Sequence, residues 1–427
     1  MLDLYYHPLR LRADPSRVVV RPFRLPAKAA GQEESRADRI VAHVLAMSPA
    51  AVDAELELVF RDFEARHWQT RKVFEKRFNE IRAELGLGGN QLPQNVCELI
   101  GAYFCHEYSY AAAALMNPSI VRHPDQSGLR DGSIRFLMSL RAVGEGHISS
   151  VAFREGIVST GREFELMPEP PFATAANSAH PTPTEGSDGP IRIHRGPDSS
   201  ISGTVLFPIT DAQRNGLEDL RLVQFRHQDG RHEWLGTYTA YNGYQIRSEL
   251  LRTDDFRSFD LIPMRGSAAR NKGMALFPSA DDGVYRMIGR QDGENLFLIE
   301  SDDLECWNEG KLLMTPKYPW EFVQIGNCGS PIELDEGWLL LTHGVGAMRK
   351  YSIGAVLLDK KDPSKVLGRT VQPIVHSSDE DREGYVPNVV YTCGALVVGR
   401  DLFMPYGVAD SSVAFAFLNL DDLIALM

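Results

Sequence analysis

Apolar side chains follow two different spacings along this chain. Before about residue 116 they recur at steps of three, four and seven. Leu56, Phe60, Phe63, His67, Phe74, Phe78, Ile81 and Leu85 fall on one face of a single long helix. Ser35 with Asp38 resembles a capping box ahead of RIVAHVLAM, and Ser48-Pro49 offers a cap and a first-turn proline to the next helix. GLGGN at 86–90 ends that helix, and the alanine- and aromatic-rich run from Pro93 to about Met116 predicts a third. Residues 1–34 read as an extended strap with a short β-like run at Val18, Val19 and Val20.

From Asn117 onward the period changes to two. IRFLMSLRAV, HISSVAF, LRLVQFR, HEWLGTYTAY, GVYRMIGR, NLFLIES, GWLLLTHG, YSIGAVLLD, GYVPNVVYTCGALVV and DLFMPYG are candidate strands separated by turn residues. Short strands at this spacing fit an all-β sandwich, barrel or propeller, and the roughly 310 residues involved would suit five four-stranded units of about 60 residues. The division expected is a strap and helical region over 1–116 and a β domain over 117–427. The stretch 167–202, dense in Pro, Ser, Thr, Gly and Asp, reads as a long surface connection.

Composition narrows the function. Forty-five Lys and Arg against 57 Asp and Glu give a formal charge of -12, which argues against a nucleic-acid or membrane-surface partner. An anionic substrate must then be attracted locally. The five cysteines are scattered, with no CxxC pair, and read as reduced thiols of a cytoplasmic protein. No run approaches the roughly 18 apolar residues of a membrane span, and the N-terminus lacks a secretion pattern. His106-Glu107 lacks the second histidine of HExxH, Tyr110 standing in its place, so the pair reads as packing and no metal site is expected. GNCGSP at 326–331 lacks the GK[ST] ending of a phosphate loop and reads as a tight turn.

GLEDLRL, TYTAYNG, NKGMALFP, GNCGSPIELDEGWLLLTHGVG, YSIGAVLLDKKDPSKVLGR, GYVPNVV and PYGVAD stand in an order that resembles glycoside hydrolase family 130, the β-mannoside phosphorylases and related β-mannosidases. The resemblance covers about 117–427. It implies a five-bladed β-propeller, preceded here by an α-helical region longer than short members of the family need. It also implies that Asp219, the acid of an EDxR motif, is the general acid for inverting cleavage of a β-mannosidic bond, its proton reaching the bridging oxygen through a mannose hydroxyl.

An inverting enzyme needs an acid and a nucleophile on opposite faces of the sugar. With inorganic phosphate as nucleophile and co-substrate, no second catalytic carboxylate and no cofactor are needed, but cations are. Lys272 and Arg290 match the family's phosphate-contacting blocks, with His343 as a third contact. The resemblance places Asn117, Arg141, Tyr241, Asn242, Pro387, Asn388 and Asp410 at the sugar. Tyr241 stands where some phosphorylases carry a phosphate-binding arginine, and Gln291 where a histidine is sometimes used. Glu249, Glu294 and Glu300 are the glutamates that could activate water in the alternative, an inverting β-mannosidase. The helical region is the candidate arm for homo-oligomerisation.

Overall fold

In the computed structural model of the protein, residues 2–23, 25, 34–89, 91–178 and 189–427 are described. The chain is mainly β. Its strands form five successive antiparallel meanders. The first is Ala114–Arg122, Ser133–Val143, Ser149–Ser159 and Glu163–Leu166. The second is Gly216–Arg226, His232–Tyr241, Ile246–Thr253 and Ser258–Pro263, joined to the first by a single parallel pair, Gly216 with Ser149. The third runs from Ala275–Leu276 through Tyr285–Gly289 and Leu296–Ser301 to Lys311–Met314. The fourth has Gln324–Asn327, Trp338–Val345, Tyr351–Leu358 and Val366–Arg369. In the fifth, Val390–Tyr391, Asp401–Val408 and Ser412–Asn419 are completed by Leu4–Arg12 from the other end of the chain.

Each meander packs on the next because its strands are apolar on both faces. In Ser412–Asn419, Val413, Phe415 and Phe417 enter one core with Phe136 and Phe403, while Ala414, Ala416 and Leu418 enter another with Leu339 and Ile353. The period of two thus serves two cores from one strand. The cores join the first meander to the second, second to third, third to fourth, fourth to fifth and fifth to first.

Two helical expectations are corrected. The capping box at Ser35 forms, with Asp38 N–H donating to Ser35 Oγ at 3.0 Å and Ser35 N–H to Asp38 Oδ2 at 2.8 Å. The long helix, however, is broken into Pro49–Phe63 and Thr70–Ile81, with Gln69 left-handed between them at φ 52°. The break folds the two halves face to face, so that Phe60 and Phe74 stack at 6.1 Å. The third helix stops at Tyr103. Beyond it Cys105–Ser109 pairs with Val18–Pro22, and buried Tyr108 lies opposite buried Val19, so sheet pairing overrides the helical tendency of the alanine-rich run. The first strand of the β region opens at Ala114, ahead of the expected boundary at 117. Within 167–202, Thr174–Ala175 and Ile191–His194 are strands; residues 179–188, and Asn90 of GLGGN, lie outside the described residues.

Candidate active site

The side chain of Asp219 reaches its position through a backbone irregularity. In Gly216–Arg226 the register with the neighbouring strand slips between Glu218 and Arg221, and Asp219 adopts φ 52°. Such a bulge re-aims a side chain that plain alternation would send into the core. The first strand of the first meander does the same between Met116 and Ser119, where Asn117 has φ 49°. A positive φ also stands just before the opening strands of the third and fifth meanders, at Gly273 (φ 93°) and Asn388 (φ 63°), and just after that of the fourth, at Gly329 (φ 133°). Ala409 and Asp410, at φ 50° and 47°, add a strained turn at the end of Asp401–Val408. Non-glycine residues in this region concentrate where surrounding structure holds them for a task.

Contacts tie these points together. Asn117 Nδ2 donates to Asp219 Oδ1 at 2.6 Å, and Arg141 Nη1 donates to the same oxygen at 3.2 Å. The other arm of Arg141 donates to Glu218 Oε1 at 2.6 Å, and its Nε to Ser149 Oγ at 2.9 Å. Arg221, buried, donates to the Asp219 carbonyl at 2.9 Å and to Tyr391 Oη at 2.7 Å. The Tyr391 ring lies 4.9 Å from the ring of His343, and His343 Nε2 lies 3.3 Å from Arg290 Nη1. A guanidinium only donates, so Nε2 accepts and the imidazole proton sits on Nδ1. Gly326 makes room for this ring: a Cβ there would lie 2.7 Å from His343 Nε2.

The charges set the protonation. Burial alone would raise the Asp219 carboxyl, but the charges of Arg141, Arg221 and Lys272 and the Asn117 amide outweigh it and hold it at about 2. Its side chain keeps 12% exposure, so the acid is largely shielded from bulk water. Asp410 moves the other way, to about 6, through burial and then the negative charge of Asp219, against Arg141, Arg349 and Lys272. Glu218 is also raised, by burial first. Burial, with the charges of Arg290 and Arg221, keeps His343 neutral. The Lys272 ammonium has no hydrogen bond or ion pair to another described side chain, yet its charge acts on Glu218, Asp219 and Asp410. Around three carboxylates stand Arg141, Arg221, Lys272, Arg290 and Arg349, a local positive surplus in an acidic chain. Arg290 Nε, His343 Nδ1, both amide atoms of Asn327 and Ser330 Oγ are buried without a partner among the described residues, so polar capacity remains for a ligand rich in oxygen.

The structure therefore brings together Asp219, Asn117, Arg141, Asp410, Lys272, Arg290 and His343. Asn388 is joined to them indirectly: its carbonyl accepts the N–H of Tyr351 at 3.0 Å, and the Tyr351 ring stacks on His343 at 5.8 Å; Pro387 is exposed. The described side-chain hydrogen bonds of Tyr241 and Asn242 stay in their own turn: Tyr241 Oη donates to the Gly243 carbonyl at 2.9 Å, and Asn242 Oδ1 accepts from Tyr244 and Gln245 N–H. Glu249 is enclosed by Gln213, Tyr238 and Arg247, and Glu300 pairs with Arg286. Glu107 is held by His67 at 2.6 Å and Arg66 at 2.9 Å. Among the described residues no group of three or more His, Cys, Asp or Glu could hold a metal. Sequence reasoning missed Glu218 and Arg221, which stand in the same heptapeptide as Asp219, and Tyr391, which reads as an ordinary strand residue.

A buried acid among fixed cations, where several sheets meet, is the centre of an enzyme acting on a polar substrate. The family model described as beta-1,4-mannooligosaccharide phosphorylase, glycoside hydrolase 130, matches residues 199–427. A 1,2-beta-oligomannan phosphorylase of Thermoanaerobacter sp. (strain X514) is 34% identical over 50% of this chain and 72% of its own length. A beta-1,2-mannobiose phosphorylase of Listeria innocua is 31% identical over 51% of this chain and 62% of its own. The solved structure of a Listeria innocua beta-1,2-mannobiose phosphorylase in complex with beta-1,2-mannobiose shares the fold, with TM-score 0.50 and 24% identity over 74% of this chain and 92% of that one. The protein belongs to glycoside hydrolase family 130. Asn117 and Arg141, which complete the surroundings of Asp219, come from outside the part matched by the family model.

Proposed function

We propose that the protein is an inverting glycoside phosphorylase that cleaves a β-mannoside with inorganic phosphate to give α-mannose 1-phosphate. The observation that carries this reading is the acid Asp219 set against a surplus of cations, one of which, Lys272, is not neutralised by a close partner. Phosphate supplies the missing negative charge at Lys272 and Arg290, with His343 orienting Arg290 as a neutral ring. Asp410, Asn388, Asn117 and Arg141 hold the mannose. The bond from C1 to the bridging oxygen breaks as a phosphate oxygen attacks C1 from the opposite face, and the bridging oxygen takes a proton from a mannose hydroxyl that is reprotonated by Asp219. An acid near 2 is ionised in the empty site, so the charge of bound phosphate must first offset the cations and raise it.

The five meanders, the closed series of cores and the five left-handed positions support a five-bladed propeller with the helical region attached. Phosphate is the co-substrate, and no cofactor enters the reaction. Free cysteines, and no described helix long and apolar enough to cross a membrane, are in keeping with a cytoplasmic setting. Leu45, Leu58, Phe63 and Trp68 are exposed on or beside the helices and make that region the arm for self-association.

The test is to incubate the protein with mannose 1-phosphate and mannose or glucose acceptors and follow phosphate release, taking β-1,2 products first because the names of two relatives carry that linkage. Hydrolysis of mannosides in phosphate-free buffer, with no phosphate release from mannose 1-phosphate, would replace this reading with an inverting β-mannosidase. The engagement of Glu249 and Glu300 elsewhere weighs against that alternative.

A further inference from the structure

The structure holds a second feature beside the acid cluster, on the side where Arg141 and Asp410 meet. The strand carrying Arg141 ends at Val143, and the loop beyond it turns back through Gly144, whose N–H donates to the Ile148 carbonyl at 3.2 Å. The strand carrying His343 ends in a loop of the same construction, Gly346 N–H donating to the Lys350 carbonyl at 3.0 Å. His147 and Arg349 occupy matching places in these loops, six residues beyond Arg141 and His343, and both are left-handed, with φ of 58° and 56°. Arg349 lies close enough for its charge to act on Asp410.

His147 meets Tyr385. Their ring centroids are 5.9 Å apart with planes at 36°, and Tyr385 Oη lies 3.3 Å from His147 Nδ1. Tyr385 is anchored from the other side as well, since the next residue, Val386, donates its N–H to the Ala409 carbonyl at 3.0 Å, on the turn that presents Asp410. The pair thus bridges from the hairpin of Arg141 to the turn of Asp410. Tyr385 is nevertheless 53% exposed. Tyr385 is thus held at its hydroxyl, and through its neighbour's backbone at the turn of Asp410, while about half of its surface stays open beside that turn.

Resting on the phosphorylase reading above, we infer that Tyr385, positioned by His147, is the platform on which the acceptor hexose of the β-mannoside lies, and so is a specificity residue for the sugar released or joined at that end. A hexose offers an apolar face of C–H groups, and a rigid amphipathic ring covers it at small entropic cost. Its hydroxyls remain free at the edges for solvent and for Arg349. Tyr385 does not touch the reacting bond, so its removal weakens capture of the acceptor and leaves handling of mannose 1-phosphate intact.

The experiment compares wild type with Tyr385→Ala, Tyr385→Trp and His147→Ala. In the synthetic direction Tyr385→Ala raises KM for a mannose acceptor by about tenfold, the scale of a lost aromatic contact, while KM for mannose 1-phosphate stays within about twofold. Tyr385→Trp keeps the platform and stays near wild type; His147→Ala loosens the ring and gives an intermediate rise. Calorimetric titration with β-1,2-mannobiose and with mannose reads the same feature without turnover: Tyr385→Ala removes the advantage of the disaccharide over the monosaccharide. An unchanged acceptor KM in Tyr385→Ala overturns the inference, as does an unchanged disaccharide advantage. A wild-type protein that hydrolyses mannosides instead of transferring them to phosphate would defeat the phosphorylase reading, and the titration would still decide the role of Tyr385.

Discussion

Replacing Asp219 by asparagine separates chemistry from architecture at this site. The substitution keeps the shape of the side chain and removes its proton and its charge. General acid catalysis contributes about 10²- to 10⁴-fold, so turnover should fall by that factor, about 3–5 kcal/mol of barrier. The structure also predicts a stability effect. The native Asp219 carboxyl sits at about 2 against 3.8 when unperturbed. A group depressed in this way stabilises the native state above its unfolded pKa, and the contribution is lost as pH falls through the native one. The gap corresponds to about 2.5 kcal/mol at pH 7. Asp219→Asn should therefore be less stable than wild type by up to about that amount at neutral pH, and the difference should close near pH 2. With a negative charge gone from beside Lys272, the affinity for phosphate should hold or rise. The assays are phosphate release from mannose 1-phosphate plus acceptor, urea unfolding at several pH values, and titration with mannose to confirm that the sugar still binds. A folded variant that binds mannose and keeps more than about a tenth of wild-type turnover would refute the role given to Asp219.

Other perturbations probe different layers of the structure. Asp410 is raised to about 6, so its contribution is present below its unfolded value of 3.8 and lost as pH rises through 6; Asp410→Asn should gain up to about 3 kcal/mol over wild type at pH 8 and nothing at pH 3.5, and urea melts showing a loss at pH 8 would contradict the electrostatics described. Gly326→Ala places a Cβ 2.7 Å from His343 Nε2 and should turn the ring away from Arg290, raising KM for phosphate by about tenfold with little change in acceptor KM; equal rises in both would point to general disruption. Gly101→Ala drives a methyl to 2.7 Å from the Phe74 carbonyl carbon, backbone against backbone between two helices. It should cost about 1–3 kcal/mol or more in urea unfolding, and a loss below about 0.5 kcal/mol would mean the helices separate easily.

Much of the frame can be read from apolar spacing, because strands that serve two cores must be apolar on both faces and short enough to sit between turns. Leu339, Leu341 and Ile353 are visible in this way from the order of residues alone. Ile246–Thr253 and Ser258–Pro263 are not, since Arg252 and Asp260 interrupt the pattern with charges whose partners lie on other strands: Arg252 reaches Glu233, and Arg192 reaches Asp260. The end of the third helix at Tyr103 is equally hidden, because it depends on Val18–Pro22 arriving from the other side of the sequence. At the site, Asp219 and the cations stand in short motifs and are legible as chemistry. The roles of Glu218 and Arg221 are not, because they arise from a slip of register that no alternation of residues announces.

That slip is also what makes a functional site from a repeated frame. Five similar meanders placed around a common region would present five similar sets of side chains, and a strand with unbroken alternation would turn half of them into the cores. A left-handed residue in or beside each opening strand frees one position per meander from that rule. Where the position is glycine, at 273 and 329, the backbone itself makes the turn without strain; where it is Asn117, Asp219 or Asn388, a polar side chain is placed there at the expense of backbone strain. Asp219 is the one acid among the five, and it receives the amide of Asn117 and the guanidinium of Arg141 from the neighbouring meander. The strain is therefore distributed over contacts between meanders, so the acid stays fixed only while the first and second remain packed. Substitutions in the core that joins them, around Phe153 and Trp234, would then reach catalysis through the position of Asp219 rather than through any contact with substrate.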